Sequence, residues 1–180
     1  MAEPTHRSSE PQTCSSATPL AVQEVRGADL DGDLRQLVFD FFLRFSRFES
    51  ALKERHYLQW TQPGSKAVPS WKRFAADHRA GYQPNAAAIA LMEAKPKMQV
   101  IGEAGNLEFV EEPLAKNLPV LDRVIGHANT VRNNLFHGGK HGGDNWDNPA
   151  RMRVLLTCTI GVLEDLADRG GFGGDYSGYY

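Results

Sequence analysis

The sequence predicts an all-α protein, a helical bundle of three long amphipathic helices with shorter helices. Three segments repeat apolar residues with the period of an α-helix, and no alternation of strand and helix patterns indicates a doubly wound sheet. The chain has 180 residues, 41 % of them hydrophobic and 23 % charged, which is typical of a globular protein with one domain. We therefore expect one helical core.

The first long helix is predicted to begin after an N-cap at Asp33 and to continue to Trp60. At about 100° per residue its large apolar side chains form one broad stripe, so this helix should be a core element. The stripe contains Leu34, Leu37, Val38, Phe41, Phe42, Phe45, Phe48 and Leu52.

Shorter elements are expected between the first and second long helices. Proline and glycine in 63–69 mark a loop, and short helices should follow from about Ser70 and from Pro84. In 97–112, two short β-prone runs surround a glycine-containing turn. This segment is either a small hairpin insert or an irregular loop.

Two further long helices complete the predicted bundle. The second begins near Pro119 and is ended by Gly138 and Gly139, and the third extends from about Pro149 to Asp168. In each of these helices the apolar side chains fall on one face, which should point into the core. The residues of the second helix are Leu121, Val124, Ile125, Ala128, Val131 and Leu135. Those of the third are Met152, Leu155, Leu156, Ile160, Leu163 and Leu166.

The composition of the two ends predicts tails around a helical domain at 30–168. Residues 1–29 are rich in Ser, Thr, Pro and Glu, which favours a disordered tail. Residues 169–180 alternate glycine with aromatic residues and are expected to form a flexible tail rather than a regular element. The alternative for this second tail is self-association or partner binding.

Several classes of protein are disfavoured. No apolar run is long enough to span a membrane and no signal peptide is evident, so we expect a cytoplasmic protein without membrane contact. The net charge of -2 gives no global attraction for nucleic acid, so a site for a polyanion must be a local patch. No cofactor motif occurs. No metal is expected, because His137, His141, Asp144 and Asp147 would all come from one loop without a second ligand cluster.

Arg132 is unusual because it lies within the apolar stripe of the second long helix, where a charge needs a partner or a ligand. Glu49 occupies the matching position at the edge of the first stripe. We therefore predict a contact between Glu49 and Arg132 across the bundle. It is either a structural ion pair that fixes helix register or part of a functional site; a third alternative is an arginine that extends outward from the bundle edge.

Asn133 and His137 are four residues apart and share a helix face, whereas Arg132 and His137 are about 140° apart on an ideal helix. Arg132 and His137 therefore meet only if the last turn loosens or if two copies of the helix face each other in a dimer. A helix C-terminus favours positive charge on His137, which suits proton transfer or simple capping. The glycines after it either leave room for a substrate near Lys140 and His141 or only form a flexible loop.

The segment Arg132-Asn133-Asn134-Leu135-Phe136-His137, followed by Gly-Gly-Lys, resembles the Arg-polar-x-x-x-His signature of HEPN domains. HEPN domains are helical proteins of prokaryotic defence systems and toxin-antitoxin pairs. The resemblance covers about residues 33–168, although only 130–140 match closely.

The resemblance implies a homodimer whose two motifs line a shared cleft and cleave RNA without metal. Arg132 would stabilise the scissile phosphate, Asn133 would orient the substrate or the histidine, and His137 would act as acid and base. The 2′-hydroxyl of the RNA would be the nucleophile, leaving a cyclic phosphate. An antitoxin or another defence-system partner is implied for such a protein.

Further roles are assigned from the residues themselves. Lys140 and Arg123 are expected to add phosphate contacts, and Glu49 and Asn134 to support the site. Some HEPN domains are non-catalytic, so a module that binds RNA or nucleotides, or one that mediates assembly, is the alternative. An unrelated enzyme or a structural bundle is the third possibility.

Overall fold

A computed structural model describes residues 31–113, 115, 117–137 and 148–178. Within these ranges the chain is mainly α-helical and carries one two-stranded antiparallel sheet. The elements in chain order are α1 (Gly32–Glu54), α2 (Trp71–His78), α3 (Ala86–Ala94), β1 (Lys97–Ile101), β2 (Leu107–Glu111), α4 (Val120–His137), α5 (Pro149–Arg169) and α6 (Gly173–Ser177). No helix of the described ranges is long and apolar enough to cross a membrane.

Helix α1 differs from its prediction at both ends. The N-cap is Asp31 instead of Asp33, because the Asp31 carboxylate accepts a hydrogen bond from the Leu34 amide at 2.9 Å. The hydrogen bond from Arg153 lowers the pKa of the Asp31 carboxyl. At the other end the helix stops at Glu54 rather than Trp60, because His56 adopts a left-handed backbone with φ of +60°.

The hydrophobic core lies where α1 and α3 pack against α5, and α6 packs mainly against α1. Most of the predicted α1 stripe is buried, which confirms this face as a core element. Leu37 and Val38 are partly buried, and Phe42 is 46 % exposed because its ring packs on Phe136 at the outer edge of the core instead of inside it. The aromatic centre of the core is Phe41, Phe45, Phe48, Phe74 and Phe172, all nearly inaccessible to solvent.

The hairpin alternative for 97–112 is confirmed. Strands β1 and β2 pair in antiparallel register with Gln99 opposite Phe109, and a short 3₁₀ turn from Glu103 to Gly105 connects them. The amide of Asn134 on α4 donates a hydrogen bond to the carbonyl of Lys97 at 2.8 Å. This contact ties the hairpin to the C-terminal half of α4.

Residues 170–178 correct the prediction of a flexible tail that does not pack. Phe172 is fully buried, and α6 packs against α1. The Phe172 ring lies 5.5 Å from Phe48 and 5.6 Å from Phe74, centroid to centroid. Burial of one large aromatic ring therefore attaches this glycine-rich segment to the core. The predicted N-terminal tail at 1–29 lies outside the described residues.

Candidate functional site

Helix α4 positions the residues of the predicted site. Its buried face, which includes Leu121, Val124, Ala128 and Val131, fixes the rotation of the helix about its axis. Because α4 remains helical through His137, the side chains at its C-terminal end have defined directions. The alternative of a loosened last turn therefore does not hold within one copy of the chain.

Arg132 lies at the edge of the core in a setting of one carboxylate and two aromatic rings. Its Nη2 is 3.9 Å from Oε2 of Glu49, which confirms the predicted contact between these residues. The guanidinium carbon is 5.8 Å from the centre of the Phe45 ring and 5.3 Å from that of Phe136. The faces of aromatic rings attract a cation, so both rings favour the guanidinium at this position.

Glu49 is itself held from the other side. Its Oε1 accepts a hydrogen bond from the indole nitrogen of Trp71 at 3.3 Å. The Trp71 ring stacks on Phe48, with centroids 4.8 Å apart. Since Trp71 is anchored in this way, Glu49 is directed toward Arg132, and a third of the Arg132 side chain still remains accessible to a ligand (33 % exposed).

The ion pair between Glu49 and Arg132 should add little to stability. Glu49→Gln keeps an acceptor for Trp71, and Arg132→Gln removes the cation, so a double-mutant cycle with these two changes isolates the charge contact. Because both side chains are partly exposed, we expect a coupling free energy of unfolding of at most about 1 kcal/mol. Urea unfolding of the four proteins measures it. Losses that add within about 0.3 kcal/mol would show that the contact carries no energy.

Asn133 contacts Arg132 and also lies next to His137 on the face of α4 that is turned toward the hairpin. Its Oδ1 accepts a hydrogen bond from Nη1 of Arg132 at 3.1 Å, and its side chain is exposed. Arg132 and Asn133 therefore act as one polar unit at the surface.

His137 and Asn133 open into a groove of about 370 Å³ between α4 and the hairpin. Apart from Met98 and Gly126, the described residues that line it have side chains able to form hydrogen bonds, namely Gln99, Glu112, Asn129, Thr130, Asn133, Asn134 and His137. Arg132 does not line it. The two proposed chemical groups of the motif thus face different directions, as the angle of about 140° predicts.

Among the described residues that line this groove, Glu112, from the segment after β2, is the one that carries a carboxylate. It accepts a hydrogen bond from the Thr130 hydroxyl at 3.3 Å. Nδ1 of the buried His127 lies 3.5 Å away but forms no hydrogen bond within the described part of the chain. Burial lowers the pKa of His127, so at neutral pH its ring is uncharged and does not form an ion pair with Glu112.

The structure does not bring every predicted residue to one place. Arg123 lies 14 residues before His137 on α4, a helical rise of about 21 Å, so it does not reach the end of the helix where Arg132 and His137 lie. Lys140 lies outside the described residues, as do His141, Asp144 and Asp147. Among the residues that are described, no group of His, Cys, Asp or Glu side chains could hold a metal ion.

Sequence reasoning missed a basic groove on the far side of Glu49. This groove of about 580 Å³ is lined by Trp71, Lys72 and Arg73 of α2, together with Gln59, Pro69, Ser70 and Ala76, and none of these described lining residues is acidic. Trp71 belongs both to this groove and to the contact with Glu49. A clue in the sequence was Trp-Lys-Arg at 71–73, an aromatic residue followed by two cations.

An exposed apolar surface adjoins Arg132. Phe39, Phe42 and Leu43 are spaced to share one face of α1, and all three are largely exposed. Phe42 contacts the equally exposed Phe136 of α4, whose ring also faces Arg132. Large apolar groups clustered in this way are typical of interaction surfaces.

Comparisons with known proteins identify no relative. No protein-family model matches the chain, and no curated protein or solved structure matches it either. The resemblance of 132–137 to HEPN domains therefore stays a prediction that depends on the motif and its surroundings.

Proposed function

We propose that the protein is a metal-independent RNA endonuclease of the HEPN type, with α1, α4 and α5 as the three long helices of its bundle. The observation that carries this proposal is the setting of Arg132. A partly exposed guanidinium, held by Glu49 and two aromatic rings and bonded to Asn133, is suited to bind a phosphate. His137, one turn beyond Asn133, supplies an imidazole, a side chain that is suited to proton transfer.

The proposed reaction uses the RNA's own 2′-hydroxyl. A histidine accepts the proton of this hydroxyl as its oxygen forms a bond to phosphorus. The bond from phosphorus to the 5′-oxygen then breaks, and the same histidine, now protonated, donates the proton that this leaving oxygen needs. Arg132 stabilises the extra negative charge of the pentacovalent state. The products are a 2′,3′-cyclic phosphate and a 5′-hydroxyl, and no metal or cofactor takes part.

A homodimer supplies the geometry that one chain lacks. Within one copy, Arg132 and His137 point about 140° apart on a helix that does not loosen. Two copies related by a two-fold axis near the end of α4 would place the arginine of one beside the histidine of the other. The exposed surface of Phe39, Phe42, Leu43 and Phe136 adjoins this end and provides the apolar contact for such an interface.

The basic groove on α2 is the proposed path of the RNA backbone. Lys72 and Arg73 give it positive charge, and Trp71 connects it to the Glu49 that holds Arg132. Because the whole chain has a net charge of -2, a site for a polyanion has to be a local patch of positive charge, and this groove is such a patch. We further propose that the enzyme acts in the cytoplasm in growth arrest or phage defence and is controlled by an antitoxin or another defence partner.

One observation favours a second candidate, a non-catalytic module that binds RNA or nucleotides or mediates assembly. Arg132 and His137 do not converge within one copy, and the groove beside His137 contains a carboxylate that would repel phosphate. If the chain is a monomer, this candidate is the better explanation.

Incubation of the purified protein with RNA in excess chelator tests the proposal. We expect cleavage that continues without metal and yields cyclic phosphate ends, which are detected by their resistance to phosphatase until acid opens the ring. Absence of cleavage for every RNA tested would favour the binding module. Cleavage that chelator abolishes would point instead to a metal bound by residues such as His141, Asp144 and Asp147.

A further inference from the structure

We propose that the groove between α4 and the hairpin binds a guanine base, with the Glu112 carboxylate as the group that selects it. This inference rests on the proposed function, because RNA is the molecule that would bring the base to the groove. The observations behind it concern the hairpin and the face of α4 that lies toward it, and Arg132 is not among the residues that line this groove.

The size and chemistry of the groove suit a single nucleotide. Its volume of about 370 Å³ lies in the range of small-ligand sites. The lining offers side-chain amides from Gln99, Asn129 and Asn133, which carry both donors and acceptors for the edges of a base. Met98 provides an apolar contact for the face of a ring.

Glu112 is a carboxylate with acceptor capacity to spare. Its side chain is mostly buried, 22 % exposed, and its hydrogen-bond partner is the Thr130 hydroxyl. In the described part of the chain, no lysine or arginine pairs with it, and the nearby His127 is neutral at pH 7. A partly buried anion without a countercharge is stabilised by any ligand that brings N–H donors to it.

Guanine is the base that fits this requirement. On its Watson–Crick edge it presents two adjacent donors, the ring N1–H and the 2-amino group, which can bind the two oxygens of one carboxylate. Adenine and cytosine place a ring-nitrogen acceptor beside their amino group, and uracil places carbonyls on both sides of its single N–H. An acceptor next to a carboxylate is repelled, so Glu112 discriminates against the other three bases.

The position of His137 predicts where cleavage occurs. Because His137 and Glu112 line the same groove, a guanosine bound by its base places its ribose toward the histidine. The 2′-hydroxyl of that ribose then attacks its own 3′-phosphate. We therefore expect cleavage on the 3′ side of guanosines.

Direct binding of nucleoside 3′-monophosphates tests the inference without depending on cleavage. By calorimetry, guanosine 3′-monophosphate should bind about 10- to 100-fold more tightly than the adenosine, cytidine and uridine compounds. Inosine 3′-monophosphate, which lacks the 2-amino group, should fall between them. Glu112→Gln should remove the preference, because the amide replaces one of the two acceptor oxygens with a donor.

Glu111→Gln is the matched control, since it makes the same change at the exposed neighbouring residue and should keep the preference. If Glu112→Gln does not fold, Glu112→Asp keeps the charge, withdraws the carboxylate, and should weaken guanosine binding in the same way. Equal binding of all four nucleotides, no binding at all, or an unchanged preference in the Glu112 variants would overturn the inference.

The outcomes for the groove and for the enzyme can be told apart. Guanosine binding without RNA cleavage would support the base site and contradict the proposed nuclease activity. Cleavage of RNA without nucleotide binding or base preference would support the nuclease activity and contradict the base site.

Discussion

His137→Ala is expected to slow RNA cleavage by about 10²- to 10⁴-fold, the usual contribution of a positioned acid or base. His137 is exposed at the end of α4, so its replacement removes no core contact and the variant should fold as the parent does. Initial rates on a fluorogenic RNA in excess chelator measure the effect, and thermal unfolding checks the fold. A variant that cleaves at the parental rate would show that His137 is not the proton-transfer group.

Arg132→Ala should cause a loss of about 10²- to 10³-fold, because it removes the cation that stabilises charge on the phosphate. Arg44→Ala is a suitable control: Arg44 is also on the surface and also pairs with a glutamate, Glu164, but it lies away from α4. Equal loss of activity in both arginine variants would indicate that a general loss of positive charge, and not the position of Arg132, causes the effect.

Phe172→Ala is expected to lower the free energy of unfolding by about 3–5 kcal/mol, the usual cost of a large cavity in a core. Phe172 is fully buried against Phe48 and Phe74, so alanine would leave much of the site empty. Urea unfolding at one fixed protein concentration measures the change, so that any self-association affects the variant and the parent under the same condition.

Trp60→Ala provides the comparison for Phe172→Ala. Trp60 is also a large aromatic residue, but about half of it is exposed, so its loss should change stability by less than about 1 kcal/mol. If Phe172→Ala is as mild as Trp60→Ala, the segment at 170–178 does not pack on the core, and the original prediction of a flexible tail would hold.

The helical elements could be predicted because they depend on local patterns. The apolar period and the proline and glycine positions predicted the mainly-α fold, the start of α2 after Ser70 and the start of α5 at Pro149. The cap at Asp31 was missed because two aspartates compete within three residues, and only the tertiary contact between Arg153 and Asp31 distinguishes them. The burial of Phe172 was missed because one anchoring ring among glycines produces no helical period.

The candidate site also has one part that the sequence predicts and one part that it does not. The Glu49–Arg132 contact was predicted because each charge interrupts an apolar stripe, and a charge in such a position needs a partner. The groove could not be predicted, because Met98, Glu112 and Thr130 come from separate elements whose pairing depends on the docking of the hairpin on α4. His127 carried a weak signal, a histidine on the buried side of a helix, but its neighbour Glu112 is not visible in a helical projection.

Mixing the two inactive variants tests the shared cleft most directly. If Arg132 of one copy acts with His137 of the other, a dimer of one Arg132→Ala chain and one His137→Ala chain retains one intact pair. After subunit exchange about half of the dimers are mixed, and each holds one of the two pairs of the parent protein. Cleavage should therefore return to about a quarter of the parental rate. A mixture that exchanges subunits yet stays as inactive as either variant alone would contradict an active site shared between two chains.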